Sequence, residues 1–290
     1  MNRQLFDLHA GNRILSLGHE TRIMGIVNLT PDSFSGDGQL KASKGKVNVA
    51  ACLRYARKLI REGADILDIG GESTRPGARR ISSEEEISRV IPVLEALIPQ
   101  VKIPVSIDTY KIDVAQRALD AGVSIVNNIR GTRSSPAFLK MVRDYGASIV
   151  IMHMRGVPAT MQRHTYYKDL IGEIIKELKI SIEKCLGVGI KKDRIIVDPG
   201  IGFAKTFEQN FALINHLDEL NALHCPVLLG TSRKSFIGDV LHKDVHSRLM
   251  GTAATVTAGI LRGAHIVRVH DVKALKGTSR VTDAILNAQA

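Results

Sequence analysis

The stretch DILDIGGESTRPGARR, residues 65–80, carries in one run the pattern on which the fold turns. Ile66-Leu67-Asp68-Ile69 reads as a strand and Gly70-Gly71 breaks it; an acid, two hydroxyls, an arginine, a proline and a further glycine follow. Two readings of that loop stand side by side. It is either a turn carrying a solvated Arg75, or a backbone whose glycines let N–H groups turn toward an anion.

The same unit recurs along the chain. Apolar β-branched runs predict strands near residues 22–27, 65–69, 104–107, 124–126, 148–152, 195–197, 226–229 and 265–269. Between them, segments such as 49–62, 84–97, 168–187 and 248–262 have helical spacing, and Ser82 or Ser83 ahead of Glu85 and Glu86 predicts a capping box. Eight strands, each followed by a helix, predict an α/β chain closed as a (β/α)8 TIM barrel, with an open doubly wound sheet as the competing arrangement. Residues 1–21 precede the first barrel strand, and residues 12–18 resemble a small hairpin arm placed to close the barrel bottom. With no interdomain linker and no internal repeat, residues 1–290 are expected to form a single domain carrying that N-terminal hairpin arm.

Composition narrows the function classes. A chain of 290 residues that is 44% hydrophobic has ample material for one large core. No apolar run approaches the ~18 residues of a membrane span, and the N-terminus lacks the apolar segment of a signal peptide, so a cytoplasmic protein with no membrane partner is expected. Cys52, Cys185 and Cys225 are far apart and form no CxxC, which argues for reduced, buried thiols and against a disulfide framework or a zinc site. The net charge of +11 is scattered, without an interleaved aromatic pattern or a zinc-finger signature, so general basicity is favoured over a nucleic-acid partner. Gly200-x-Gly202-x-x-Lys205 lacks the third glycine of a dinucleotide fingerprint, and neither a P-loop nor a G-x-S-x-G elbow is present.

Chemistry gathers where the strands end. In order the strands run out into Asn28; Glu72-Ser73-Thr74-Arg75; Asp108-Thr109; Asn127-Asn128; His153-Met154-Arg155; Asp198; Ser232-Arg233-Lys234; and Arg268 with His270-Asp271. In a barrel these ends converge on one face, where active sites of this fold lie. Arg75, Arg268 and His270 suit phosphate oxygens, and Arg268, set between two valines in an apolar strand, requires an acidic or anionic partner. Asn28 offers a neutral oxygen to Mg2+, which keeps several waters and bridges substrate phosphates. Asp108, Asp198 and Asn127 form an opposite set, suited to a flat heterocycle with several N–H donors. Taken singly, Asp198 also reads as a cap on Gly200–Gly202, and Lys234 as a surface lysine.

The motifs MGIVNLTPDSFSGDG, GGESTRPGA, VSIDTYK, IVNNIRG, IMHMRGVPATMQ, IIVDPGIGFAKT, LLGTSRKSFIG and GAHIVRVHDV, in this order between Met24 and Val272, resemble the dihydropteroate synthase family. The resemblance implies a transferase of folate biosynthesis that joins 4-aminobenzoate to (7,8-dihydropterin-6-yl)methyl diphosphate, releasing diphosphate. It implies that Asp108, Asn127, Asp198 and Lys234 hold the pterin, and that Thr74, Arg75, Arg268 and His270 hold the diphosphate, with Asn28 on its Mg2+. Phe34, Pro76, Phe203, Ser232 and Lys234 would form the aminobenzoate pocket under the loops 30–40 and 73–80. Asp108, Asp198, Lys234 and Arg268 are the expected catalytic groups, and a homodimer through outer helices is implied.

Two positions depart from the family pattern. Asn128 replaces the usual acid of Asn-Asp-Ile, and Ser35-Gly36-Asp37-Gly38 reorders the acid–glycine run of the first loop. If position 128 orients a neighbour, an amide suffices; if it balances charge near the pterin, affinity falls. Three other functions compete: a pterin-binding methyltransferase domain, which has no use for the diphosphate clamp; a non-catalytic paralogue, kept open by Asn128; and a charge-recruited nucleic-acid binder.

Overall fold

Alternation along the strands builds the molecule. A computed structural model describes residues 3–30, 47–73 and 79–288. After a hairpin of β1 (Phe6–Ala10) and β2 (Arg13–Leu17) come eight parallel strands: β3 (Arg22–Asn28), β4 (Ile66–Gly70), β5 (Val105–Asp108), β6 (Ile125–Asn128), β7 (Ser148–Met152), β8 (Ile195–Asp198), β9 (Leu228–Leu229) and β10 (Ile266–Val269). Their order is β8-β7-β6-β5-β4-β3-β10-β9, and a parallel bridge from Val197 to Val227 joins the two ends. The barrel is closed, so the open doubly wound sheet is excluded.

Every second residue of these strands faces outward. Ile23 and Val27, Leu67 and Ile69, Val105 and Ile107, Ile149 and Ile151, Ile195 and Val197, Val267 and Val269 are all buried in one outer core. That core is completed by helices α1 (Val49–Arg61), α2 (Ser83–Leu97), α3 (Ile112–Asp120), α4 (Pro136–Asp144), α5 (Leu170–Gly187), α6 (Phe207–Asn215), α7 (Ser235–Leu241), α8 (Leu249–Leu261) and α9 (Val272–Asn287). The alternate residues face the lumen. At its N-terminal end Met24, Ile66, Ile125, Val150, Ile196, Leu228 and Ile266 pack with Leu8, Ala10 and Leu17 of the hairpin. The arm therefore plugs the barrel bottom, as its sequence suggested. Higher up, the inward positions turn polar, and there the site begins.

Three local expectations are corrected. The strand predicted at 226–229 shrinks to Leu228–Leu229, because Pro226 has no N–H; its carbonyl still accepts from Val197 N at 3.0 Å. The capping box of α2 is only half made: Ser82 Oγ accepts from Glu85 N at 3.1 Å, but the Glu85 carboxylate takes Arg89 at 2.5 Å and Glu86 takes Lys111 at 2.7 Å. The helix predicted from 168 starts at Leu170, where the Asp169 side chain accepts from Gly172 N.

Candidate active site

The lumen opens at the C-terminal ends of the strands into a cavity of about 510 Å3. Asn28, Asp108, Asn127, Asp198, Phe203, Ser232, Lys234, Arg268 and His270 all line it. The nine site residues of the sequence reading that fall among the described ones thus converge. Phe34, Thr74, Arg75 and Pro76 lie outside the described residues.

Arg268 organises the floor. Its Nε donates to Asp68 Oδ2 at 2.6 Å and its Nη2 to Asp108 Oδ2 at 2.8 Å. Asn127 Nδ2 donates to the same Asp68 oxygen at 3.0 Å. The sequence reading set Arg268 apart from Asp108 and Asn127; the structure instead joins all three through Asp68. Burial works against the Arg268 charge, and Asp68 and Asp108 more than restore it, so its pKa is raised. Burial drives Asp108 the other way from an exposed acid, up to about 7, with Arg268 opposing. Asp68, fully buried, is the site residue that sequence reasoning missed. The signal was there: a lone acid in Ile66-Leu67-Asp68-Ile69-Gly70 is the counterpart of a lone cation in Ile266-Val267-Arg268-Val269.

Asp198 caps the turn that follows it, one of the two readings its sequence left open. Its Oδ1 accepts from Gly200 N at 2.7 Å, and its carboxylate still lines the cavity. Burial raises its pKa. Lys234 is no surface lysine: its Nζ stands 4.3 Å from the centre of the Phe203 ring. Gly202, at φ +80°, makes room for it, since a Cβ there would lie 3.1 Å from Lys234 Cδ. On the other wall, Ser232 Oγ and His270 Nδ1 are 3.0 Å apart, and His270 N donates to the same hydroxyl at 3.2 Å. Arg233, whose motif the sequence grouped with Lys234, instead forks onto Asp271 through Nε at 2.9 Å and Nη2 at 2.5 Å.

The opening loop resolves into separate duties. Glu72 Oε1 accepts from Ile81 N at 3.0 Å and its Oε2 lies 3.2 Å from Lys111 Nζ, so this acid ties together the two described ends flanking residues 74–78. Gly71 serves packing: a Cβ there would come within 2.8 Å of Glu86 and Val90 of α2. Asn128 points away from the lumen. Its Oδ1 accepts from Arg130 N at 2.8 Å and its Nδ2 donates to Ser134 Oγ at 3.0 Å. An amide at 128 thus orients the following loop, the first of the two readings of that position.

Known proteins share this architecture. A family model described as pterin binding enzyme matches residues 24–270. The dihydropteroate synthase of Synechocystis is 44% identical over 279 residues, covering 96% of this chain and 94% of that protein. Among solved structures, Yersinia pestis dihydropteroate synthase with a sulfonamide drug complex superposes at TM-score 0.90 with 37% identity, covering 98% of this chain and 100% of that one. The Xanthomonas albilineans dihydropteroate synthase with 4-aminobenzoic acid gives TM-score 0.88 at 38% identity, over 99% of this chain and 100% of that one.

Proposed function

The chain belongs to the dihydropteroate synthase family of pterin-binding enzymes, and from that premise we infer how its own residues carry the reaction. The enzyme joins (7,8-dihydropterin-6-yl)methyl diphosphate to 4-aminobenzoate, forming a C–N bond and releasing diphosphate in folate biosynthesis. The observation that carries the assignment of roles is the Asp68–Arg268–Asp108 chain at the cavity floor, with Asn127 on the same Asp68 oxygen. It sets acceptors for an N–H-rich ring against a cation within one hydrogen bond.

Asp108, Asn127, Asp198 and Lys234 bind the pterin in this reading, with Asp108 and Asp198 facing a ring that grows positive as its C–O bond breaks. The bonding electrons leave with the diphosphate. Arg268 and His270, with Thr74 and Arg75 from outside the described residues, receive that charge. Mg2+ fits the same edge. Asn28 offers an amide oxygen at the cavity lining. One protein ligand accords with an ion that retains water and substrate oxygens, and when bound it would offset charge on the departing diphosphate. The aromatic amine then attacks without prior deprotonation, lying against Phe203 beside Ser232, with Phe34 and Pro76 completing the pocket, and the nitrogen sheds its extra proton to water once the C–N bond has formed. Holding the two fragments together supplies up to ~7–11 kcal/mol. No covalent bond to the protein forms.

A cytoplasmic location accords with three thiols that are free and buried, Cys52, Cys185 and Cys225, and with the lack of any helix among the described residues long and apolar enough to cross a membrane. Exposed Met250 on α8 and exposed Val281 and Ile285 on α9 support a homodimer through outer helices. Turnover is the decisive measurement: dihydropterin diphosphate, 4-aminobenzoate and Mg2+ should give dihydropteroate and diphosphate in equal amounts. A folded protein that forms neither, or a trapped covalent pterin adduct, would refute the reading.

A further inference from the structure

Lys205 is a charged residue that the reaction leaves unused, and it is among the most deeply buried side chains in the molecule, 2% exposed. It follows the Gly200-x-Gly202 run whose dinucleotide reading fails. Burial lowers its pKa to about 7, and an amino group taken this far from water needs acceptors for its N–H groups. It has three: the carbonyls of Gly200 and Phe203, each at 3.0 Å, and His153 Nδ1 at 3.1 Å.

The third acceptor assigns the imidazole. Nδ1 accepts from Lys205, so the His153 proton sits on Nε2, which faces Glu177 Oε2 at 3.2 Å. Burial and the neighbouring Lys205 hold the His153 pKa down at about 4, which keeps that nitrogen an acceptor at neutral pH. Glu177 is held in turn by Arg155, through Nε at 2.9 Å and Nη2 at 2.5 Å. Lys205 is thereby anchored from β7 and α5 while it gathers the backbone after β8.

That backbone is unusual. Gly200, Gly202 and Ala204 all have positive φ, of 71°, 80° and 51°, and Ala204 is not a glycine. A turn of this shape needs external ties. Lys205 supplies two, and the Tyr167 hydroxyl, donating to Ala204 O at 3.0 Å, supplies another. Drawing the carbonyls of Gly200 and Phe203 inward to the amino group turns the opposite side of the turn, Gly202 and the Phe203 ring, toward the cavity, where Lys234 meets that ring.

We propose that Lys205 is a positioning residue for the transfer reaction: its amino group shapes the turn at residues 199–206 and so places Phe203 against the aminobenzoate and under Lys234. This rests on the reaction assigned above. Lys205 touches no substrate and acts through the Phe203 ring.

A double-mutant cycle on the full chain tests it. Lys205→Met, which keeps the length and removes the donors, is expected to raise the KM for 4-aminobenzoate about tenfold, with kcat per folded enzyme changed less than about threefold. Adding Phe203→Ala should raise that KM little further, because both changes remove the same placement. Lys205→Gln, which retains N–H donors on a shorter side chain, is measured in parallel in case the methionine variant folds poorly, and its KM should also rise. A KM within about twofold of wild type in folded Lys205 variants, with only the melting temperature lowered, overturns the inference. So do KM effects that multiply with that of Phe203→Ala. Absence of turnover in the wild-type chain would overturn the reaction itself, and this inference with it.

Discussion

At the scale of single residues, partners decide what each charge can do. Arg268 is committed to two carboxylates before any substrate arrives. Truncating it leaves Asp68 buried and unpaired as well as removing a cation from the cavity. Arg268→Ala should therefore lower kcat/KM at least about a hundredfold, whereas Lys58→Ala, on the outer helix α1, should change it less than about twofold in steady-state assays. Equal losses would mean the site map is wrong. Asp108 yields a pH prediction. Its pKa is raised by burial from 3.8 to about 7, so between those values the empty folded protein keeps a proton that the unfolded chain has lost. The contribution of Asp108 to stability accordingly falls as pH rises through that window. Ligand N–H donors favour the ionised form, so pterin binding should weaken as pH falls below 7, by up to about tenfold per pH unit. Calorimetric titration should find that slope reduced in Asp108→Asn.

At the scale of elements, alternation along a strand decides which residues share a face. Asn127 and Asn128 are adjacent in sequence, yet one donates to Asp68 in the lumen and the other to Ser134 on the outer side of β6. This was legible in principle, because a period of two separates them. What was not legible is the bond that each makes, since Asp68 and Ser134 come from a different strand and a later turn. Restoring an acid in Asn128→Asp should leave turnover within about twofold of wild type and stability within about 1 kcal/mol by chemical denaturation, because the position faces its own loop. A large gain in pterin affinity would contradict that placement. The opening loop repeats the lesson. Gly71 looked suited to phosphate but serves the approach of α2, and Glu72, without an evident role in sequence, closes the loop base against Ile81 and Lys111.

At the scale of the whole molecule, the hairpin arm and the active site occupy opposite ends of one lumen. Apolar residues fill the lower end and polar ones the upper, so the stability of the plug and the chemistry of the mouth are built from the same strands. The outer surface is less even. Met250 on α8 is 78% exposed, and Val281 and Ile285 on α9 are 64% and 63% exposed, on two helices that pack against each other. The proposed homodimer would cover these exposed apolar side chains. Sedimentation of the wild-type protein should give twice the mass of one chain, and Met250→Glu with Val281→Glu should shift it to the mass of one. A wild-type protein that sediments as a single chain would remove the dimer.

By itself the sequence determined the barrel and the place of the site. Strand periodicity, eight strand–helix units and polar residues at the strand ends are local properties, carried by spacing alone. Only the tertiary structure decided the pairings: Asp68 with Arg268, Ser232 with His270, Lys205 with His153. Each partner is 38 to 200 residues away. The physical reason is closure of the sheet. Which inward side chains meet across a barrel depends on how all eight strands register with one another, and buried charges then take whichever partners that geometry brings within a hydrogen bond.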